Sequence, residues 1–188
     1  VSVIGDLWGV SFFSIEAGLP DDQASLITTL VFIGFAIGGL VAGHWSDRIG
    51  HRKILFSTGA ISAACFALLL CFTSRLPVVL VAVLVAALGF TSGSQVLAFV
   101  MVADTAKRHT RAITLAFVNF IVMFFPVIVQ PTVGLFSQWG LPSGLRPSSM
   151  QELQGYAVVV VGMLAAAGLS LLVQDTSPRD EEGVLISH

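Results

Sequence analysis

Long apolar runs alternate with short polar joints along this 188-residue chain, and six runs can be traced: residues 1–19, 25–45, 54–72, 77–103, 113–136 and 156–173. Residues 25–45 and 54–72 contain no Asp, Glu, Lys or Arg. A hydrocarbon core about 30 Å thick takes about 20 residues of helix, so each run has the length of one crossing. The helix assignment rests on that length and on the absence of water in lipid, where an open strand would leave its backbone groups unsatisfied. Periodicity adds little when nearly every position is apolar. The first run is the weakest, because Asp6 and Glu16 interrupt it, and the fifth carries Pro126 and Pro131.

The joints carry turn chemistry. Gly18-Leu-Pro20-Asp-Asp22 is a turn followed by acids that suit a helix N-terminus. Ser74-Arg75-Leu-Pro77 is a short connection with Pro opening the next helix. Residues 104–111 are polar and basic, and residues 138–155 form a long loop rich in Gly, Pro and Ser. Residues 1–174 thus read as a six-helix transmembrane bundle, all-α and polytopic. Residues 175–188 read as a polar, disordered tail.

Composition sharpens this picture. Hydrophobic residues make up 55% of the chain and charged residues 11%, with a mean hydropathy of +0.92. A soluble domain carries roughly 25% charge and could not hide this much apolar surface in one core. The net charge of −2 matters less than where the charges sit. On the span map Arg48, Arg52, Lys53, Lys107, Arg108, Arg111 and Arg179 fall on one side, and Arg75 and Arg146 on the other. That bias places the basic side, and with it both chain ends, in the cytoplasm. Cys65 and Cys71 lie six apart in the third run, off a shared face and without a metal-ligand pattern, so lipid-buried thiols are expected. The chain opens on Val1 inside an apolar run, without the charged leader or cleavage site of a secretory signal. Further residues upstream are expected.

The turn between the second and third runs holds the densest charge: Gly43-His-Trp-Ser-Asp47-Arg48-Ile-Gly50-His51-Arg52-Lys53. Gly43 would let the helix end approach a neighbour, and Gly50 permits the positive φ of a tight turn. Asp47 can accept hydrogen bonds at a facing helix N-terminus. Arg48, Arg52 and Lys53 can pair with acids across the cytoplasmic seam, or serve only to set topology.

This Gly-x-x-x-Asp-Arg-x-Gly-basic-Arg-Lys pattern, placed between two spanning helices, resembles the signature loop of the major facilitator superfamily. The matching residues are Gly43, Asp47, Arg48, Gly50, Arg52 and Lys53, and the departure is His51, where the family usually has Arg. Gly89-Phe-Thr-Ser-Gly93-Ser-Gln95, Asn119-Phe-Ile-Val-Met123 and Gln130-Pro131-x-Val-Gly134 resemble late helices of bacterial members. The resemblance covers residues 1–174. It implies the C-terminal half of a twelve-helix secondary transporter in a bacterial plasma membrane. It also implies a missing N-terminal six-helix half as partner, and a signature loop that latches the outward-facing state.

Four side chains are candidates to meet solute or proton. Asp6 would sit within a helix, where a carboxylate costs roughly 2.5–3.5 kcal/mol at the bilayer centre, so it should face a cavity or partner. The other placement puts it near the headgroups. Gln95, Asn119 and Gln130 can orient a polar solute, or bond neighbouring helices. Gly34, Gly38, Gly39 and Gly43 suit close helix packing. Phe12, Phe13, Phe124 and Phe125 suit either an apolar pocket or lipid, and His44 and His109 sit at solvated turns.

No metal, cofactor or nucleic acid is expected. An intramembrane serine hydrolase is disfavoured, because Gly89-Phe-Thr-Ser-Gly93 misplaces the serine of a Gly-x-Ser-x-Gly elbow. A channel is disfavoured because no filter-like loop or charged ring is visible. The two remaining readings are a symporter or antiporter of a small organic or polar solute, and a transporter-like sensor that has kept the fold without transport.

The topology has a direct test. In a background without Cys65 and Cys71, the variants Lys53→Cys and Arg75→Cys are expected to react with an impermeant maleimide from opposite faces of the membrane. Labelling from the same face would overturn the arrangement.

Overall fold

The computed structural model describes residues 3–73, 76–139 and 148–175, apart from the side chains of Val3, Asp6, Leu7 and Ser149. Arg75, Arg146, the middle of the 138–155 loop and the tail from 176, with Arg179, lie outside the described residues. Every element described is helical. A π-helical turn, Val3–Trp8, leads into α1 (Gly9–Glu16). There follow α2 (Asp21–Ile49), α3 (Arg52–Leu70), α4 (Val78–Ser92), a 3₁₀ turn (Gly93–Gln95), α5 (Val96–Thr105), α6 (Arg111–Ser137) and α7 (Ser149–Ser170).

Among the described residues, five helical stretches are long and apolar enough to cross a membrane: α2, α3, α4 through α5, α6, and Met150–Ser170 of α7. The first apolar run differs from the six-crossing expectation. Its described part is six π-helical and eight α-helical residues. At 1.5 Å per residue that is shorter than a bilayer core of about 30 Å. The fourth run is broken near its middle by the 3₁₀ turn. The sixth helix begins at Ser149 rather than 156, because Ser148 and Gln151 form a capping box there. Helix α6 runs unbroken through Pro126 and Pro131.

Lipid offers no hydrophobic drive to bring helices together, so spanning helices associate by close packing. The α2–α4 seam shows how. A Cβ on Gly38 would lie 1.9 Å from the Phe90 carbonyl oxygen, and one on Gly89 would lie 2.1 Å from that of Val31. Gly34 and Gly93 are crowded by backbone in the same way. Four positions without side chains let the two backbones touch. Next to this seam a buried core joins Phe12 and Phe13 of α1 with Val31 of α2, Ala67 and Leu70 of α3, Val85 and Leu88 of α4, and Tyr156 of α7.

Helix α3 lies between α4 and α7, while α1 packs against α2 and α7. Polar ties pin α7 to α3 at two levels: Tyr156 Oη–H donates to the Ala67 carbonyl at 3.1 Å, and Ser57 Oγ–H to that of Ser170 at 3.0 Å. Around this core the surface is apolar. The most apolar stretch of α6 has no buried residue, and Phe117, Met123, Phe125 and Leu135 all stand exposed on that helix. In water such a helix would be untenable, whereas lipid solvates it.

The seam makes a stability prediction. Gly38→Ala forces a methyl against backbone that cannot move aside, and should cost about 2 kcal/mol through overpacking. Gly162→Ala meets open space and should cost nothing. Thermal unfolding of the purified protein in detergent is expected to show a Tm several degrees lower for the first variant and unchanged for the second.

Candidate functional site

At one end of the bundle α2 turns into α3 through two residues. Gly50 caps α2 at φ 69°, a left-handed conformation open to Gly, and its N–H donates to the Ser46 carbonyl at 2.9 Å. His51 follows as the N-cap of α3, with its Nδ1 3.0 Å from the Ile49 carbonyl. So short a turn leaves Asp47 and Arg48 on the last turn of α2 and Arg52 and Lys53 on the first turn of α3.

Charge placement around this turn is uneven. Arg48 stands exposed where the C-terminal dipole of α2 favours a cation. Arg52 stands at the opposite kind of end, where the N-terminal dipole of α3 disfavours one. Its side chain is also only 12% exposed. A guanidinium so placed needs an anion, and Asp104 on the last turn of α5 supplies it as a direct ion pair. Asp47 lies 4.0 Å away on the open side, with its carboxylate 75% exposed, and adds little through solvent. Arg52 thereby ties the ends of α2, α3 and α5 together. Among the described residues no atom lies within 4 Å of a Cβ built on Gly43, so no described helix closes against it.

The four candidate solute residues do not form one cluster. Asp6 lies in the π-helical turn, with its side chain outside the described residues. Gln95 is exposed in the 3₁₀ turn between α4 and α5. Asn119 is exposed and Gln130 half-buried on α6. Their spacing of eleven residues is close to three turns, so these two share a helix face. One turn beyond Gln130, a Cβ on Gly134 would lie 2.9 Å from the Trp8 ring, so the π-helical turn packs next to that face. Among the described residues the three amides make no hydrogen bond, which leaves their donors and acceptors available.

Two groupings escape a reading of the sequence alone. Asp104 reads as part of a basic joint, yet it is an acid closing a span on the same side as the Arg52 turn. Glu152 reads as loop, yet it is 2% exposed and accepts a 2.8 Å hydrogen bond from Ser11 Oγ–H across the α1–α7 seam. The capping-box spacing Ser148-x-x-Gln151 is the signal that would have brought Glu152 into a helix. Among the described residues no group of three His, Cys, Asp or Glu side chains could hold a metal ion.

Comparison with known proteins gives the same frame. The family model for the Major Facilitator Superfamily matches residues 7–185. The chain is 29% identical over 110 residues to Solute carrier family 22 member 4 of Mus musculus, a match covering 57% of this chain and 20% of that protein. It is 36% identical over 59 residues to Putative transporter SVOPL of Danio rerio, covering 31% of this chain and 12% of that one. The chain therefore spans a fifth or less of the length of these curated relatives. No solved structure matches it. A two-residue basic turn between spanning helices, five helices fit to cross a membrane, and a family match across nearly the whole chain lead to one assignment: this chain belongs to the major facilitator superfamily.

Proposed function

We propose that the chain is the C-terminal six-helix half of a twelve-helix secondary carrier. It moves a small organic or polar solute by alternating access, as a symporter or antiporter driven by a proton or solute gradient. The observation that carries this reading is the Arg52 tie. A part-buried cation at the helix ends, paired with Asp104 and lying near the exposed Asp47, is a contact whose partners could be exchanged with a second bundle as the two rock. The free amides of Gln95, Asn119 and Gln130, with Asp6, are the groups we assign to solute or proton. The missing partner is the N-terminal six-helix half, whose matching bundle would cover the apolar side of this one. The location we assign is a bacterial plasma membrane with both chain ends in the cytoplasm.

A transporter-like sensor shares the fold and the family. It would bind solute without exchanging it, so counterflow in proteoliposomes of the full-length protein separates the two readings.

Asp104→Asn removes the main anion of Arg52 and leaves a poorly solvated guanidinium. Counterflow should fall about tenfold, the equivalent of about 1.4 kcal/mol in the balance of carrier states. Exchanging the charges, Arg52→Asp with Asp104→Arg, should recover a substantial part of it. Full activity in Asp104→Asn, with normal insertion, would reduce the turn to a topology signal.

A further inference from the structure

At the end of the bundle opposite the Arg52 turn lies a second polar assembly, built on Glu152 in the first turn of α7. Its carboxyl is 2% exposed, and the hydrogen bond it accepts comes from a neutral group, Ser11 Oγ–H at 2.8 Å. Beside it a small, partly open cavity, with about 10 Å³ of room for the centre of a water molecule, is bounded by Trp8, Phe12, Val133 and Tyr156 as well as Glu152. Phe12 and Tyr156 stack with centroids 4.5 Å apart and close the apolar side. The indole Nε1–H of Trp8 is buried and has no acceptor among the described residues. That cavity has about the size one water needs, and a buried donor without an acceptor calls for one.

The charges around Glu152 set its chemistry. From α1 the buried Glu16 faces it within electrostatic range. Just past the end of α3 comes the half-buried thiol of Cys71. Its own helix contributes the phenol of Tyr156, bonded to Ala67. Helix α6 contributes no described charge here, since its sole base, Arg111, stands at its other end. The bases of α3, Arg52 and Lys53, also lie at the far end of their helix. A carboxyl in such a place is far easier to bury neutral than charged.

We propose that Glu152 is a proton-binding carboxyl of the carrier. A hydronium in the cavity gives its proton to the free oxygen of Glu152 and remains as a water, which accepts from that new O–H and from Trp8 Nε1–H. The other oxygen keeps the Ser11 hydrogen bond. In this protonated form α1 and α7 close on each other; ionisation draws water into the seam and parts them. The site deepens the carrier reading by naming a group for its proton, and it rests on that reading only for its role in transport.

Infrared spectroscopy of the full-length protein in proteoliposomes tests it without transport. A protonated-carboxyl C=O band is expected at neutral pH, to be lost in Glu152→Gln, and to shift to higher wavenumber in Ser11→Ala as the hydrogen bond to the carbonyl oxygen disappears. A spectrum in that region unchanged by Glu152→Gln would overturn the proposal. If that variant fails to fold, an unshifted band in Ser11→Ala overturns it instead. Solute counterflow on the same vesicles stands apart: its absence in the parent protein would count against the carrier reading, while the band still decides Glu152.

Discussion

Lipid surrounds this bundle on most sides, and lipid does not push helices together. What association there is must come from contact, and the closest contact is the seam where Gly34 and Gly38 of α2 meet Gly89 and Gly93 at the end of α4. Everything else is arranged about that line. Helix α3 packs on α4, α7 packs on α3, and α1 closes the far side against α2 and α7. The core is correspondingly thin: Ala63, Ala64 and Ala67, with Ser57 and Leu70, supply the buried face of α3, where a soluble protein would place more large side chains. Small residues give backbones room to approach, and dispersion and a few polar ties do the rest.

Those ties sit at the two ends of the bundle and differ in kind. At the Arg52 end the tie is ionic, with one partner largely exposed to solvent and therefore sensitive to salt and to an approaching surface. At the Glu152 end it is a hydrogen bond between a buried carboxyl and a hydroxyl. The carrier proposed above, opening at one end while shut at the other, would need fastenings that respond to different influences. An exposed ion pair can be exchanged for charges on a second bundle. A buried carboxyl responds to the proton. The 3₁₀ turn at Gly93–Gln95 falls between these ends, inside the α4–α5 span and against the glycine seam, where one helix changes its winding without losing its packing.

Much of this was legible in the order of residues, because membrane insertion writes coarse signals. Runs free of charge located α2 and α3 to within a few residues, and Gly50 marked the positive φ that ends α2. The pairs at Gly34 and Gly38 marked a packing face. Legibility failed where the physics is tertiary. Gly43 looked like a contact glycine but meets nothing among the described residues. Asp104 and Glu152 gave no local sign of their partners, since Arg52 is about fifty residues from one and Ser11 is 141 positions from the other. The first turns of α7, with Gln151, Glu152 and Gln154, are polar enough to read as loop, and only the capping box betrays the helix.

The apolar exposure of α6 has a further consequence for how the two halves of a carrier would meet. Asn119 and Gln130 share one face of that helix, and Gly134 continues it toward the Trp8 ring. Phe117, Phe124 and Leu135 point elsewhere around the circumference and are equally exposed. Helix α6 packs against α7, with Val129 set on the core, and leaves much of the rest of its middle exposed, so the amides mark which side suits something more polar than lipid. The side carrying Asn119 and Gln130 is the costly one to leave against hydrocarbon, because each amide would forfeit its hydrogen bonds there. In the carrier proposed above, that is the side that would turn toward a water-lined space or a second bundle, with the phenylalanines meeting the acyl chains. The π-helical turn lies beside that side of α6, through the contact between the Trp8 ring and Gly134.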